Sequence, residues 1–185
     1  MTAQPTGFGR KIPPTDWEGD DLTPGAGGMY VTCTDTAAGR MAYWATNGRV
    51  DIDGRVIRAH VSPPDPDGLT MAQAAQGLHS ATGLTMVVGT MTAAQRLAWL
   101  RRGLGLVVPG MYGAVPRAYR FQASADFAHA IFFDFVGHDG KSVRKHDPLN
   151  PNTHTFGETM PLADALPFLN SLLAWPVGYV PLQHP

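Results

Sequence analysis

The residue pattern of this chain predicts an α+β fold, with N-terminal helices packed on a C-terminal antiparallel sheet. Three observations carry that expectation. Apolar residues recur at helical spacing over 34–46, 70–79 and 92–102. A period-two apolar run follows at 127–135. A short turn segment carrying two glycines, Gly137-His138-Asp139-Gly140, separates it from a second run at 142–145, as in a hairpin. Helices early and most strands late is the order of an α+β chain.

Taken in order, residues 1–28 are rich in Pro, Gly, Thr and Asp and read as an irregular N-terminal arm, with Trp17 available to anchor it. Residues 29–185 read as one domain. Ala37, Ala38, Met41, Ala42, Trp44 and Ala45 mark the first helix, Thr34, Asp35 and Thr36 supply polar residues at its start, and Asn47-Gly48 stops it. Residues 51–57 suggest a small hairpin or irregular turn, and the proline-rich stretch 62–68 a loop. Thr70 caps a second helix through about His79, and 83–88 reads as a short strand. The helix at 92–102 ends in Arg101, Arg102 and Gly103, with Arg96 placed on a solvated face. Leu104 to Pro109 forms a buried strand before a turn at 110–116. Pro161 to Leu173 carries Leu162, Ala165, Leu166, Leu169 and Leu172 on one helical face.

Composition narrows the function classes. With 185 residues, 44% hydrophobic and 16% charged, the chain can bury a real core and does not read as disordered. A formal charge of −1 and a pI near 6.6 give no electrostatic reason to expect nucleic acid or an anionic membrane as partner. No run approaches the roughly 18 apolar residues of a membrane span. The first residues lack the basic start and apolar stretch of a secretory signal, so synthesis in the cytoplasm is expected. One cysteine allows neither an internal disulfide nor a multi-thiolate zinc site, and no metal or cofactor is called for.

That single cysteine, Cys33, stands where an extended run gives way to a helix. A helix N-terminus offers unpaired N–H groups and partial positive charge to a thiolate. An imidazole partner takes the thiol proton and later returns it to a leaving amine, and a carboxylate or amide orients the ring. His129 is the best of seven histidines, because alternation sets it beside Phe127, Ile131 and Phe133 on one strand face, where a polar ring needs a partner. Asp147 ends the next strand. A hairpin turning at 137–140 brings it opposite roughly position 130, within reach of His129. Each residue also has an ordinary reading: a small buried hydrophobe, a satisfied core histidine, a turn-starting Asp-Pro. Their order and context together make the chemical reading. His146 is the rival base, although strand neighbours face opposite sides. His138, His146 and Asp139 lack the spacing of a metal site. Tyr112, Tyr119 and Trp99 read as core or rim aromatics.

This layout resembles the papain-like (C39-like) cysteine peptidases encoded by actinobacterial phages, found in their lysins and among their virion genes. The resemblance is carried by Cys33 with its Ala-rich helix, Gly103-Leu104-Gly105-Leu106-Val107-Val108-Pro109-Gly110-Met111-Tyr112, His129-Ala130-Ile131-Phe132 and Asp147-Pro148-Leu149. It spans roughly residues 29–165. It implies Cys33 as nucleophile, His129 as general base and acid, and Asp147 as orienting carboxylate. It further implies a peptide or peptidoglycan substrate, and a protein made in the host cytoplasm and associated with a virion. The chain departs from the pattern in one respect: no Gln or Asn lies between Pro5 and Cys33 to donate to an oxyanion. Thr32, a backbone N–H of Gly25 to Gly28, or no group at all joins the Cys33 N–H in that role. The alternative is a non-catalytic virion (tail) structural protein that keeps the peptidase-like fold and uses its N-terminal arm to contact neighbouring tail proteins.

Overall fold

The computed structural model describes residues 7–8, 32–64, 67–121, 127–150, 157–172 and 175–181. Among them, seven strands form one antiparallel sheet. These are β1 (Gly7–Phe8), β2 (Val87–Thr90), β3 (Leu106–Met111), β4 (Ala128–Gly137), β5 (Ser142–His146), β6 (Glu158–Pro161) and β7 (Pro176–Tyr179), in the spatial order β2-β7-β3-β4-β5-β6. β1 pairs with the far end of β4, Phe8 facing Val136. The helices are α1 (Cys33–Ala45), α2 (Gly54–Ala59), α3 (Met71–Thr82), α4 (Ala93–Arg101) and α5 (Leu162–Ser171). The fold class is thus mixed helix and antiparallel sheet. Gly7 and Phe8 thus form a strand within the arm expected to be irregular; Trp17 and the other residues of 1–28 lie outside the described residues.

Strand alternation sorts the core into two layers. Val107, Ala130 and Phe132 point to one face and pack against Ala37, Ala38, Met41 and Trp44 of α1, Ile57 of α2, and Met71, Ala74 and Leu78 of α3. Leu106, Val108, Ile131 and Phe133 point to the other and pack against Leu100 of α4 and Leu162, Ala165, Phe168 and Leu169 of α5. The N-terminal helices cover one face as expected, and α4 and α5 cover the second.

Helix starts follow local chemistry. Thr70 and Thr92 each form a reciprocal capping box, with Gln73 and Gln95 three residues on. Gly83 and Gly103, at φ 75° and 74°, close the chain after α3 and α4 in a conformation that suits glycine. The 51–57 segment is a correction: it opens α2, because the Asp53 carboxylate accepts the Arg55 N–H at 2.7 Å and caps a helix. Arg96 is a second correction. Its side chain is buried, and its guanidinium donates to the carbonyls of Met91 (3.1 Å), Leu169 (2.7 Å) and Leu172 (2.9 Å). It joins α4 to the carbonyls ending α5, which the helix itself cannot satisfy. The segment 83–88 becomes a strand only from Val87, and β6 and β7 are strands the periodicity did not indicate.

α1 is seated by backbone contact. A β-carbon at Gly39, in mid-helix, would lie 2.5 Å from the Ile52 carbonyl oxygen. Helix propensity alone favours Gly39→Ala by about 1 kcal/mol. The clash is with backbone, so the expected result is the reverse, a destabilisation of roughly 1–3 kcal/mol. A lowered midpoint in urea unfolding, at unchanged slope, checks this.

Candidate active site

Cys33 is the first residue of α1 and Thr32 its N-cap. The first helical bond runs from the Thr36 N–H to the Thr32 carbonyl at 2.9 Å. The N–H groups preceding it, that of Cys33 among them, have no acceptor within the helix. Thr32 is buried and its hydroxyl makes no capping bond. Two contacts hold this helix end. Asp35, buried in the first turn, accepts from Arg58 Nε of α2 at 3.0 Å. The start of α2 lies so close that a β-carbon on Gly54 would approach Thr36 N to 2.7 Å. Cys33 itself is partly exposed.

His129 lies near the start of β4, opposite Gly110 of β3, and is 2% exposed. Its Nε2 donates to Asp147 Oδ1 at 2.8 Å; an ionised carboxylate only accepts, so this nitrogen carries the proton. The Tyr112 ring meets the imidazole edge-on at 4.8 Å, with Phe127 beyond at 6.1 Å. Nδ1 is buried and makes no hydrogen bond among the described residues. It is the nitrogen left to face the Cys33 thiol, which is near enough to favour the protonated ring.

Asp147 is fully buried. Oδ1 accepts from His129 and from the Leu149 N–H (3.0 Å), and Oδ2 from the Tyr112 hydroxyl (3.0 Å) and Lys145 Nζ (3.2 Å). Burial by itself would raise its pKa; the hydrogen bond and charge of His129, the Lys145 ammonium and the Leu149 N–H outweigh burial and hold it far below the usual carboxylate range. For His129, burial opposes the charged ring, but the hydrogen bond and charge of Asp147, with Cys33 adding, push the pKa up to about 10. Burial and the Asp147 charge keep the Tyr112 phenol protonated.

Register explains how the pair meets. Phe132 faces His146 and Phe133 faces Lys145, so continuing the ladder sets Asp147 opposite Ile131, one residue from the expected position. Near the turn, Val136 pairs with Val143, a register that would carry Asp147 to Phe132; the bulge between Phe133 and Phe135 takes up one residue and brings it back to Ile131. The rival His146 lies on the other sheet face, fully buried, 3.2 Å from Asp134 and stacked on Phe132 at 5.4 Å. Exposed His138 sits in the β4–β5 turn, and no group of three His, Cys, Asp or Glu among the described residues could hold a metal. The Gly25 to Gly28 run lies outside the described residues. Sequence reading missed two partners of Asp147. Tyr112 reads from the sequence as a core or rim aromatic, although it closes the Gly103–Tyr112 run that carries the resemblance. Lys145 could have been found from its i, i+2 spacing to Asp147, which shares a strand face.

The two shifts set a pH window for stability. His129 has a raised folded pKa, so its contribution is fully present below about pH 6.5 and is lost as pH rises through about 10. Asp147 has a lowered one, so its contribution is present above its unfolded value near 3.8 and is lost as pH falls below that. The difference in unfolding free energy between the wild type and Asp147→Asn should be greatest at about pH 4–6.5. It should shrink on either side, by no more than about 1.4 kcal/mol per pH unit and proton. Urea titrations at stepped pH measure it.

No protein-family model matches the chain, and no curated protein matches it. Among solved structures, the crystal structure of a candidate C39-like peptidase from Bacillus anthracis is similar, with a TM-score of 0.58. The similarity covers 95% of this chain and 100% of that one, at 11% sequence identity. At that identity the likeness is one of fold.

Proposed function

We propose that this chain is a papain-like cysteine peptidase or amidase, with Cys33 as nucleophile, His129 as general base and acid, and Asp147 as orienting carboxylate. The observation that carries the reading is the buried His129–Asp147 hydrogen bond, which occupies Nε2 and leaves Nδ1 for the one thiol, itself at a helix N-terminus and near enough to act on the ring.

The steps follow from those positions. His129 Nδ1 takes the Cys33 proton, and the imidazolium is held by Asp147 while the thiolate is held by the end of α1. The sulfur attacks the carbonyl carbon of an amide, and the oxygen takes up the charge. The Cys33 N–H, with Thr32 beside it, is the donor set offered to that oxyanion. His129 returns its proton to the leaving amine as the C–N bond breaks, giving a thioester. Water, deprotonated by His129, then attacks the thioester, releases the carboxylic acid and restores Cys33. The preferred substrates are peptide links in bacterial peptidoglycan, a choice supported by the sequence resemblance to phage peptidases.

Purified chain incubated with host-type peptidoglycan and with a panel of peptides tests the proposal, with new amino termini as readout. Cys33→Ala and His129→Ala should each reduce cleavage to background. Asp147→Ala, which leaves nucleophile and base in place, should lower turnover roughly 100- to 10,000-fold. Alkylation of Cys33 by iodoacetamide with no amide cleaved in any substrate would instead assign the non-catalytic virion (tail) protein. Cleavage of free peptides with intact peptidoglycan would retain the activity and discard the wall substrate.

A further inference from the structure

Beside the Cys33–His129–Asp147 line stands a buried cation that the chemistry above does not use. Lys145 on β5 is fully buried, and its Nζ lies 3.2 Å from Asp147 Oδ2 and 3.1 Å from Glu158 Oε2. Alternation along β5 puts residues 145 and 147 on one face, and the β5–β6 register sets Glu158 directly across from Lys145. A buried ammonium costs several kcal/mol unless it is paired, so this placement is a strong constraint on its neighbours. Among the described residues the two Asp147 oxygens accept from at least His129 and Leu149 on Oδ1 and Tyr112 and Lys145 on Oδ2, which fills much of what a carboxylate can accept. Rotating the carboxylate away from His129 would break all of them.

We propose that Lys145 is a positioning residue for the Cys33–His129 pair: its ammonium, held by Glu158, fixes the Asp147 carboxylate and weakens that carboxylate's hold on the imidazolium proton. The inference rests on the catalytic reading of these three residues. Its chemical sense is that a buried carboxylate with no opposing cation would keep the ring proton too tightly for transfer to a leaving amine. The other groups facing the pair are Cys33 from α1, Tyr112 after β3 and Glu158 from β6, with Arg120 acting on Tyr112. Asp134, Arg144 and His146, with Arg40 from α1, form a separate charged cluster on the opposite sheet face.

The test is a 15N NMR titration of the His129 ring in the full chain, assigned with His129→Gln, for wild type, Lys145→Met, Lys145→Arg and Glu158→Gln. Removing the cation should make His129 keep its proton to higher pH, by about half a unit or more, a roughly threefold tighter hold. Glu158→Gln should shift the titration the opposite way, because Lys145 is then less neutralised. Lys145→Arg should restore the wild-type midpoint. A merely structural role would loosen the pocket in both Lys145→Met and Glu158→Gln and shift both in one direction; that result, or coincidence of Lys145→Met with wild type, overturns the proposal. Should Lys145→Met fail to fold, the sign in Glu158→Gln decides: a downward shift supports the proposal, and any other overturns it. Absence of amide cleavage by the wild type would count against the enzyme reading alone, since the titration does not depend on turnover.

Discussion

The hydrogen bond between His129 Nε2 and Asp147 Oδ1 is the constraint around which the site is organised. Both groups are out of water, so neither could carry its charge alone; each is charged because the other is. The bond also determines which ring nitrogen is left for the thiol. Everything that seats Asp147, from the Tyr112 hydroxyl to the Leu149 N–H, therefore bears on how the imidazole faces Cys33. Buried ion pairs of this kind add little net stability for their desolvation cost.

The scaffold supplies the two halves of the site from different layers. Cys33 comes from the end of a helix packed on one sheet face. His129 comes from a strand whose side chains alternate between faces, and it points with Ile131 and Phe133 toward the layer of α4 and α5. The two meet because His129 stands close to the beginning of β4. Backbone contacts from Gly39 and Gly54 set α1 against the segment at 52–54, which holds the Cys33 end of the helix in place. On the far side, Tyr112 ties three pieces together: its hydroxyl donates to Asp147 and accepts from the Phe121 N–H, and its own N–H bonds the Phe127 carbonyl.

Features legible in the sequence share a local cause. α1, α3 and α4 were readable because apolar periodicity and end signals lie within a few residues of one another; the Thr70–Gln73 and Thr92–Gln95 boxes are local hydrogen bonds. The β4–β5 hairpin was readable because its turn and both strands are contiguous. Cys33, His129 and Asp147 were singled out from context of the same short range: a helix start, a polar ring in an apolar strand, a strand end.

Local signatures therefore identify the helices and the hairpin that carry them, and the three candidate residues those elements present. Tertiary structure alone decided the rest. β6 and β7 are four residues each and become strands only through the partners that complete their hydrogen bonds, β7 lying between β2 and β3. Arg96 sits on a helix turn that looks solvent-facing until α5 brings its last carbonyls to it. Lys145 and Tyr112 join the site because a bulge at Asp134 adjusts the hairpin register and a turn after β3 folds over it. Periodicity reports which face a side chain takes, but a hydrogen bond between distant residues depends on where two elements stop relative to each other, and only the packed chain sets that distance.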